Sequence, residues 1–160
     1  MEAIVAVNDD WGIGAEGTQS IVLKADRAFF KAMTKGNAVI MGRRTLEDLP
    51  GGKPLKGRAN IVVTRQDIEI EGAEVVHSTE EALAAAEKHG RCFVIGGASI
   101  FEQFLPYTGR VYLTKLDCRP ESSRFFPNLD ELPEWTCTDR GEALEENGIC
   151  YRFCTYERIG

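Results

Sequence analysis

Asp26 and Phe30 are the pair of residues in this chain that best fits acid or base chemistry. They lie four residues apart, which places both side chains on one face of a helix. A carboxylate inside an aromatic pocket can bind a cationic or amidine-like heterocycle and support its protonation. An aspartate at this place can also cap or charge a helix N-terminus. The spacing alone leaves both interpretations open.

Two glycine-containing segments are candidates for phosphate binding. Each follows an apolar run and precedes a predicted helix: Gly96-Gly97, and Gly42-Arg43-Arg44-Thr45. Glycines let the backbone approach a phosphate, helix N-termini attract its charge, and guanidinium groups pair with its oxygens. Two such segments suggest a dinucleotide, although neither has the Rossmann or the Walker spacing. For the double glycine, a plain turn remains an alternative.

The charge distribution argues against a nucleic-acid partner. The chain has 25 acidic and 19 basic side chains, a net charge of -6, whereas a nucleic-acid binder should carry a basic field. Residues 121–147 hold eight acids and two bases and account for the whole imbalance. Residues 43–65 hold six bases and two acids, which suits either a small anion or a solvated basic face.

Composition indicates one globular domain. The chain has 160 residues, 43% of them hydrophobic, and no apolar run approaches the roughly 18 residues that cross a bilayer. The five cysteines and two histidines have no metal-ligand spacing, so no metal is expected and the cysteines are interpreted as buried cytosolic thiols. Residues 1–7 lack the basic start of a signal peptide, which predicts a cytoplasmic protein.

Strand-length apolar runs alternate with helical segments along the chain. Strands are predicted at residues 3–7, 38–41, 60–63, 74–76, 92–95, 110–116, 135–139 and 149–156, and helices at 26–33, 44–49, 79–89 and 100–105. Ser78 and Glu81 have the spacing of a capping box for the third helix, which stops at Gly90. The last two strands are expected to pair across residues 145–148.

This alternation predicts an α/β fold, a three-layer sandwich. Its central sheet is mostly parallel, with about eight strands, an antiparallel C-terminal edge hairpin and about four flanking helices. In open sheets of this kind, ligands bind at the carboxyl ends of the strands, where Gly42 and Gly96 are expected.

Taken in order, a series of motifs resembles the dihydrofolate reductase family, of the bacterial chromosomal type, along nearly the whole chain. The motifs are Gly12-Ile13-Gly14, Asp26, Phe30-Lys31, residues 39–45, 54–58, 60–65 and 95–106, Tyr112-Leu113-Thr114 and Phe126-Pro127. The resemblance implies a single domain over residues 1–160, with an adenosine-side subdomain at roughly 38–88.

For the substrate, the resemblance implies that Asp26 holds the pteridine ring through a ring nitrogen and the 2-amino group, with Thr114 behind it, and favours protonation of N5. Phe30 would pack on the substrate, and Arg58 would pair with the glutamate carboxylate of the folate tail. The implied substrate-binding set is Ile4, Asp26, Phe30, Lys31, Leu49, Arg58 and Thr114.

For the cofactor, the resemblance implies NADPH. Ala6, Ile13 and Gly14 would line the nicotinamide, and Gly42, Arg43, Arg44 and Thr45 would hold the phosphates. Thr64 and Arg65 would select the 2'-phosphate. Gly96 and Gly97, joined by a cis peptide, would embrace the pyrophosphate and ribose together with Ala98, Ser99, Ile100 and Phe101. The implied cofactor-binding set also includes His77 and Ile95.

The implied reaction is hydride transfer from NADPH to C6 of 7,8-dihydrofolate with protonation at N5, giving tetrahydrofolate for one-carbon metabolism. Implied partners are dihydrofolate, NADPH and antifolates of the diaminopyrimidine and pteridine types, with no nucleic acid and no membrane. The protein is expected to be a cytoplasmic monomer.

Five residues, in three places, depart from the family pattern. Gln19-Ser20-Ile21 stand where the family usually has Leu-Pro-Trp, Arg27 where it has Leu or Met, and Phe101 where many members have Tyr. Two alternatives stay open: a related NADPH-dependent reductase of another pterin or pyrimidine, which should lack an equivalent of Asp26, and a catalytically weak nucleotide-binding homologue, against which the intact Arg58 argues.

Overall fold

The computed structural model describes residues 1–14 and 22–159, which contain nine strands and four α-helices. The strands are β1 Glu2–Val7, β2 Ala38–Gly42, β3 Ala59–Val63, β4 Ala73–Val76, β5 Cys92–Gly96, β6 Arg110–Leu116, β7 Trp135–Arg140, β8 Leu144–Glu146 and β9 Ile149–Arg158. The helices are α1 Lys24–Thr34, α2 Arg43–Asp48, α3 Thr79–Glu87 and α4 Ala98–Phe104. None of these four helices is long and apolar enough to cross a membrane.

The strands form one mixed sheet in the order β4-β3-β2-β5-β1-β6-β9-β7, with β8 paired to β9. Strands β1 to β5 are parallel to all their neighbours, and β6 is parallel to β1, whereas β9 is antiparallel to β6, β7 and β8. The predicted fold class is therefore confirmed. The connection before β9 differs from the prediction, because residues 144–146 form an extra short strand.

A two-residue turn joins β8 to β9. Asn147 and Gly148 both have positive φ, 53° and 78°, the backbone geometry that matches the twist of a tight β-hairpin. The turn brings Glu146 opposite Ile149. It thereby fixes β8 beside β9 rather than leaving residues 145–148 as a plain loop.

The central strands are buried on both faces. Residues 38–41 of β2 are fully buried, as expected for a parallel strand covered by helices on each side. On one face Ile40 packs in a cluster with residues of α3 and α4, and on the other Val39 and Met41 pack with α1 and α2. This is the expected three-layer arrangement, and it leaves the carboxyl ends of β1, β2 and β5 for the site.

The predicted capping box at α3 forms only in part. The Ser78 hydroxyl accepts a hydrogen bond from the Glu81 backbone N–H at 3.1 Å, as predicted. The Glu81 carboxylate, however, accepts from the backbone N–H of His77 at 2.6 Å, one residue before the expected partner. The helix start is correct, and the reciprocal bond is shifted outward by one residue.

The five cysteines are free thiols with different exposure. Cys92 and Cys154 are buried, Cys118 and Cys137 are half-buried, and Cys150 is exposed. Burial raises the pKa of Cys92 to about 12, which keeps this thiol protonated and unreactive. The expectation of buried thiols is right for Cys92 and Cys154 and wrong for Cys150, which lies in β9 facing solvent.

Candidate active site

A central cleft opens at the carboxyl ends of β1 and β5, between α1 and α4. It is lined by Ile4, Val5, Ala6, Ile13, Val22, Asp26, Phe30, Ile95, Gly96, Gly97 and Phe101. Most of these side chains are apolar, and Asp26 is the only ionisable one among them. The cleft therefore suits a flat, largely apolar ring with one polar edge directed at a carboxyl group.

Asp26 is positioned by α1 and β6 together. It lies in the first turn of α1, and its Oδ1 accepts a hydrogen bond at 2.7 Å from the hydroxyl of Thr114, which is buried in β6. Burial raises the pKa of Asp26, the Thr114 bond lowers it, and the nearby Glu146 carboxylate raises it; the net pKa lies above its ordinary value. Asp26 can therefore keep a proton at a higher pH than an exposed aspartate.

A groove leads from Asp26 along α1 to Arg58. Its lining residues are Asp26, Arg27, Ala28, Phe30, Lys31, Leu49, Pro50, Leu55 and Arg58. The groove combines apolar side chains with three cationic ones. It suits an elongated ligand that is aromatic near Asp26 and anionic at its far end.

The Arg58 guanidinium is held in place at the end of this groove. Its Nη1 donates to the Thr34 hydroxyl at 3.2 Å, and its Nε donates to the Lys56 carbonyl at 2.9 Å. Partial burial lowers the pKa of Arg58 below its ordinary value, although an arginine stays charged at neutral pH. Two bonds fix the plane of the guanidinium, which still has donors for a carboxylate.

A second cleft lies beyond Gly97, between the starts of α2 and α4. It is lined by Gly42, Arg43, Arg44, Thr45, Val63, Gly97, Ala98, Ser99, Ile100 and Arg124. Because Gly97 also lines the central cleft, the two clefts are contiguous. Three arginines and the N-termini of two helices give this cleft the chemistry of a phosphate site.

The Thr45 hydroxyl is available to donate a hydrogen bond to a group bound in this cleft. Its Oγ1 is buried and has no hydrogen-bond partner among the described residues. A buried polar atom without a partner is unfavourable, and such atoms are rare in folded proteins unless a ligand or water pairs with them. A phosphate oxygen in the cleft would supply the missing partner.

Gly96 and Gly97 are joined by a cis peptide bond, as expected from the resemblance. Gly96 has φ of +125°, and a Cβ built on it would lie 3.3 Å from a ring carbon of Phe101. Both the backbone conformation and the close ring therefore require glycine at this position. The glycine leaves room between β5 and α4 at the junction of the two clefts.

The loop that carries Ile13 is held by residues 122–126. The Gly14 carbonyl accepts from the backbone N–H groups of Ser123 and Arg124, and the Ile13 N–H donates to the Arg124 carbonyl at 3.0 Å. A Cβ on Gly12 would lie 2.5 Å from the Ser122 hydroxyl oxygen, so this close approach requires glycine. These bonds place Ile13 at the wall of the central cleft.

Some of the predicted site residues do not line the three cavities. Thr64 and Arg65 follow β3, and His77 follows β4, with the His77 Nδ1 2.9 Å from the Thr64 carbonyl. His77 lines a separate shallow cleft with residues 68–71, Ala73 and Val75. Gly14 borders the central cleft through its loop, and Thr114 reaches it only through Asp26.

The departures from the family pattern are distributed differently. Gln19-Ser20-Ile21 lie outside the described residues. Arg27 is exposed in the groove, and Phe101 is buried in the central cleft, where it packs edge-on against Phe126. The charged side chain of Arg27 therefore lines the groove rather than the central cleft.

Several lining residues were missed by the sequence analysis. Val5 and Val22 line the central cleft, Pro50 and Leu55 the groove, and Arg124 the second cleft. Arg124 is one of two bases in the acidic stretch 121–147, so counting charges by segment concealed it. Its adjacency to the Phe126-Pro127 motif is the signal that could have drawn attention to it.

Comparisons with known proteins agree with this geometry. The family described as dihydrofolate reductase matches residues 1–158. The chain is 38% identical over 158 residues to the dihydrofolate reductase of Bacillus subtilis, covering 97% of this chain and 92% of the relative. It is 39% identical over 155 residues to that of Neisseria gonorrhoeae, covering 96% and 94%.

A solved structure shares the fold as well. The dihydrofolate reductase from Enterococcus faecalis, in complex with NADP(H) and RAB-propyl, superposes with a TM-score of 0.89 at 32% sequence identity. The match covers 99% of this chain and 96% of that one.

Proposed function

The chain belongs to the dihydrofolate reductase family, and on that premise we propose a role for each of its three cavities. The enzyme reduces 7,8-dihydrofolate to 5,6,7,8-tetrahydrofolate with NADPH. The central cleft holds the pteridine and nicotinamide rings, the groove holds the substrate tail, and the second cleft holds the cofactor phosphates. The observation that carries this proposal is the carboxyl of Asp26, whose pKa is raised, at the junction of the central cleft and the groove.

Asp26 is the catalytic residue in this proposal. Its carboxyl binds the pteridine through a ring nitrogen and the 2-amino group, with Thr114 holding the other side of the carboxyl. NADPH, when bound, supplies the hydride that C6 accepts, and N5 takes up one proton, which completes the two-electron reduction of that bond. Because its pKa is raised, Asp26 keeps its proton to a higher pH than an exposed aspartate does.

The groove binds the rest of the substrate. Phe30 packs on the ring system, and Arg58 pairs with the carboxylate at the end of the tail, since its guanidinium is already held by Thr34. Ile4 forms the floor of the central cleft, and Lys31 and Leu49 flank the tail. Two fixed ends hold the substrate in one orientation against the nicotinamide side.

The second cleft and the ends of β3 and β4 bind the cofactor. Arg43, Arg44 and the unpaired Thr45 hydroxyl hold phosphate groups, and Arg124 adds a third guanidinium from the loop after β6. Gly42, Gly96, Gly97 and residues 98–101 surround the pyrophosphate and ribose, and Ala6, Ile13, Gly14 and Ile95 line the nicotinamide. Thr64, Arg65 and His77, in the adenosine-side part at residues 38–88, bind the 2'-phosphate end.

The same site accounts for the proposed inhibitors. Diaminopyrimidine and pteridine antifolates present a cationic amidine edge, which a half-buried carboxylate such as that of Asp26 binds as an ion pair. We further propose that the enzyme works as a monomer in the cytoplasm. The five free thiols support this compartment, since reducing conditions keep thiols unpaired.

The test is an absorbance assay of NADPH oxidation by the purified protein with dihydrofolate. At neutral pH, Asp26→Asn should lose roughly 10²- to 10⁴-fold in turnover, the usual contribution of a positioned acid, and keep its NADPH affinity. Asp139→Asn, at an exposed site in β7, is the matched control and should behave like the wild type. Full turnover by Asp26→Asn refutes the proposed role. Turnover with another pterin or pyrimidine but not with dihydrofolate identifies a related reductase.

A further inference from the structure

Helix α1, which carries Asp26, is capped by a residue from the far end of the chain. The N-cap residue Leu23 has no side chain that can accept a hydrogen bond, and the first intrahelical bond is that of the Arg27 N–H to the Leu23 carbonyl. The backbone N–H groups of Lys24 and Ala25 therefore need other acceptors. Both donate to Glu146 of β8, to Oε2 at 2.6 Å and to Oε1 at 3.0 Å.

This contact uses both oxygens of one carboxylate on two adjacent N–H groups. Charge-assisted bonds of this kind are stronger and more directional than neutral ones. Glu146 is fixed in turn by the pairing of β8 with β9, where it lies opposite Ile149. The first turn of α1 is thus fastened to the hairpin, and Asp26 is the next residue after the two that Glu146 holds.

The Glu146 carboxylate also changes the electrostatic surroundings of Asp26. The positive end of a helix ordinarily favours an ionised carboxylate in its first turn. Here Glu146 occupies those N–H groups and places a second negative charge near Asp26. Burial first, and then Glu146, raises the pKa of Asp26, whereas the Thr114 bond lowers it.

Cations as well as Glu146 lie near Asp26. Arg27 and Lys31 of α1 and Arg58 line the same groove, while the charge that shifts the pKa of Asp26 is that of Glu146. From β6 the facing group is the Thr114 hydroxyl, and from β8 it is Glu146. Among the described residues, Glu146 is the charged group that opposes ionisation of Asp26.

We infer that Glu146 is a positioning residue for the reduction. From the β8–β9 hairpin it fixes the first turn of α1, and it sets the charge environment in which Asp26 holds its proton. This inference rests on the proposed catalytic role of Asp26 and adds a residue that does not touch the substrate. Its signature is a change in the pH dependence of turnover rather than in cofactor binding.

The experiment compares the pH profiles of Glu146→Gln and Glu145→Gln. Glutamine keeps the side-chain length and one acceptor oxygen but removes the charge. Glu145 lies next to it in β8, is exposed and undergoes the same change in charge, so it is the matched control. In Glu146→Gln the alkaline limb of kcat should move to lower pH by about half a unit, roughly a threefold loss on that limb. The control should keep the wild-type profile, and both variants should keep the wild-type Kd for NADPH.

Two results overturn the inference. One is a pH profile of Glu146→Gln that superimposes on that of the wild type; the other is an equal shift in Glu145→Gln, which would reduce the effect to diffuse surface charge.

If thermal melting shows that Glu146→Gln does not fold, Glu146→Asp takes its place. Because aspartate keeps the charge, the alkaline limb of kcat must stay at the wild-type pH, and a shift of half a unit contradicts the inference. Asp26→Asn is assayed alongside. Full activity of Asp26→Asn refutes the role of Asp26. If Asp26→Asn is inactive but the pH profile of Glu146→Gln is not shifted, only the role of Glu146 is refuted.

Discussion

Thr114→Val should move the pH dependence of turnover in the direction opposite to Glu146→Gln. The Thr114 hydroxyl is buried and donates to the Asp26 carboxylate at 2.7 Å, and valine has nearly the same shape without the donor. A hydrogen bond to a charged group contributes about 1.5–3 kcal/mol, against about 0.5–1.5 kcal/mol for a neutral pair. The ionised form of Asp26 therefore loses about 1–1.5 kcal/mol more than the protonated form. Since about 1.4 kcal/mol is one pH unit, the alkaline limb of kcat should rise by about one unit.

The assay is kcat for NADPH oxidation with saturating dihydrofolate, measured across the pH range. Thr155→Val is the matched control. It makes the same change of side chain away from Asp26, since Thr155 lies opposite Tyr112 on the neighbouring strand β9. KM for dihydrofolate should rise, since the carboxyl loses one of its supports, while Kd for NADPH stays unchanged. An alkaline limb that stays in place, or moves to lower pH, refutes the reasoning that Thr114 stabilises the ionised Asp26.

Three further predictions follow from the site. Because the pKa of Asp26 is raised in the folded state, its proton stabilises the fold fully below the ordinary pKa of 3.8, and this stabilisation is lost as pH rises through the folded-state pKa. Asp26→Asn should therefore melt a few degrees above the wild type at neutral pH, and the difference should vanish in acid. A variant that melts below the wild type at neutral pH contradicts this. Arg65→Ala should narrow the kcat/KM preference for NADPH over NADH by about tenfold, whereas an unchanged ratio assigns the 2'-phosphate to another arginine. Arg124→Gln should weaken NADPH binding by about tenfold and reduce the salt dependence of that binding. Arg119 is exposed and paired with Asp9, so Arg119→Gln should change neither. Equal effects of the two substitutions refute the proposal that Arg124 binds a cofactor phosphate in the second cleft.

The parallel part of the fold could be predicted because each of its elements has a local pattern. A strand such as β2 is buried on both faces and is therefore a continuous apolar run, and Gly42 marks its end. The strand β8 has no such pattern: its three residues are two glutamates and a leucine, and only the pairing with β9 makes them a strand. Sequence periodicity cannot detect an element whose structure depends on its neighbour.

The same distinction applies to the site. Asp26 with Phe30, and Gly42 with the residues after it, are short motifs within one turn of chain, so their types and spacing made them candidates, and the family resemblance then implied their roles. Arg124 reaches the second cleft because its loop is hydrogen-bonded to Ile13 and Gly14, more than a hundred residues earlier. The adjacent Phe126-Pro127 motif can draw attention to this loop, but only the tertiary contact shows that Arg124 lines the cleft.

The protonation of Asp26 is controlled by elements that are distant in the sequence and opposite in effect. Thr114 in β6 favours the ionised form, and Glu146 in β8 opposes it, both across contacts of 88 or more residues in sequence separation. A shift of one pH unit corresponds to only about 1.4 kcal/mol, which is the size of a single such contact. Substitutions at the hairpin or at β6 can therefore retune the working pH without altering any residue that touches the substrate.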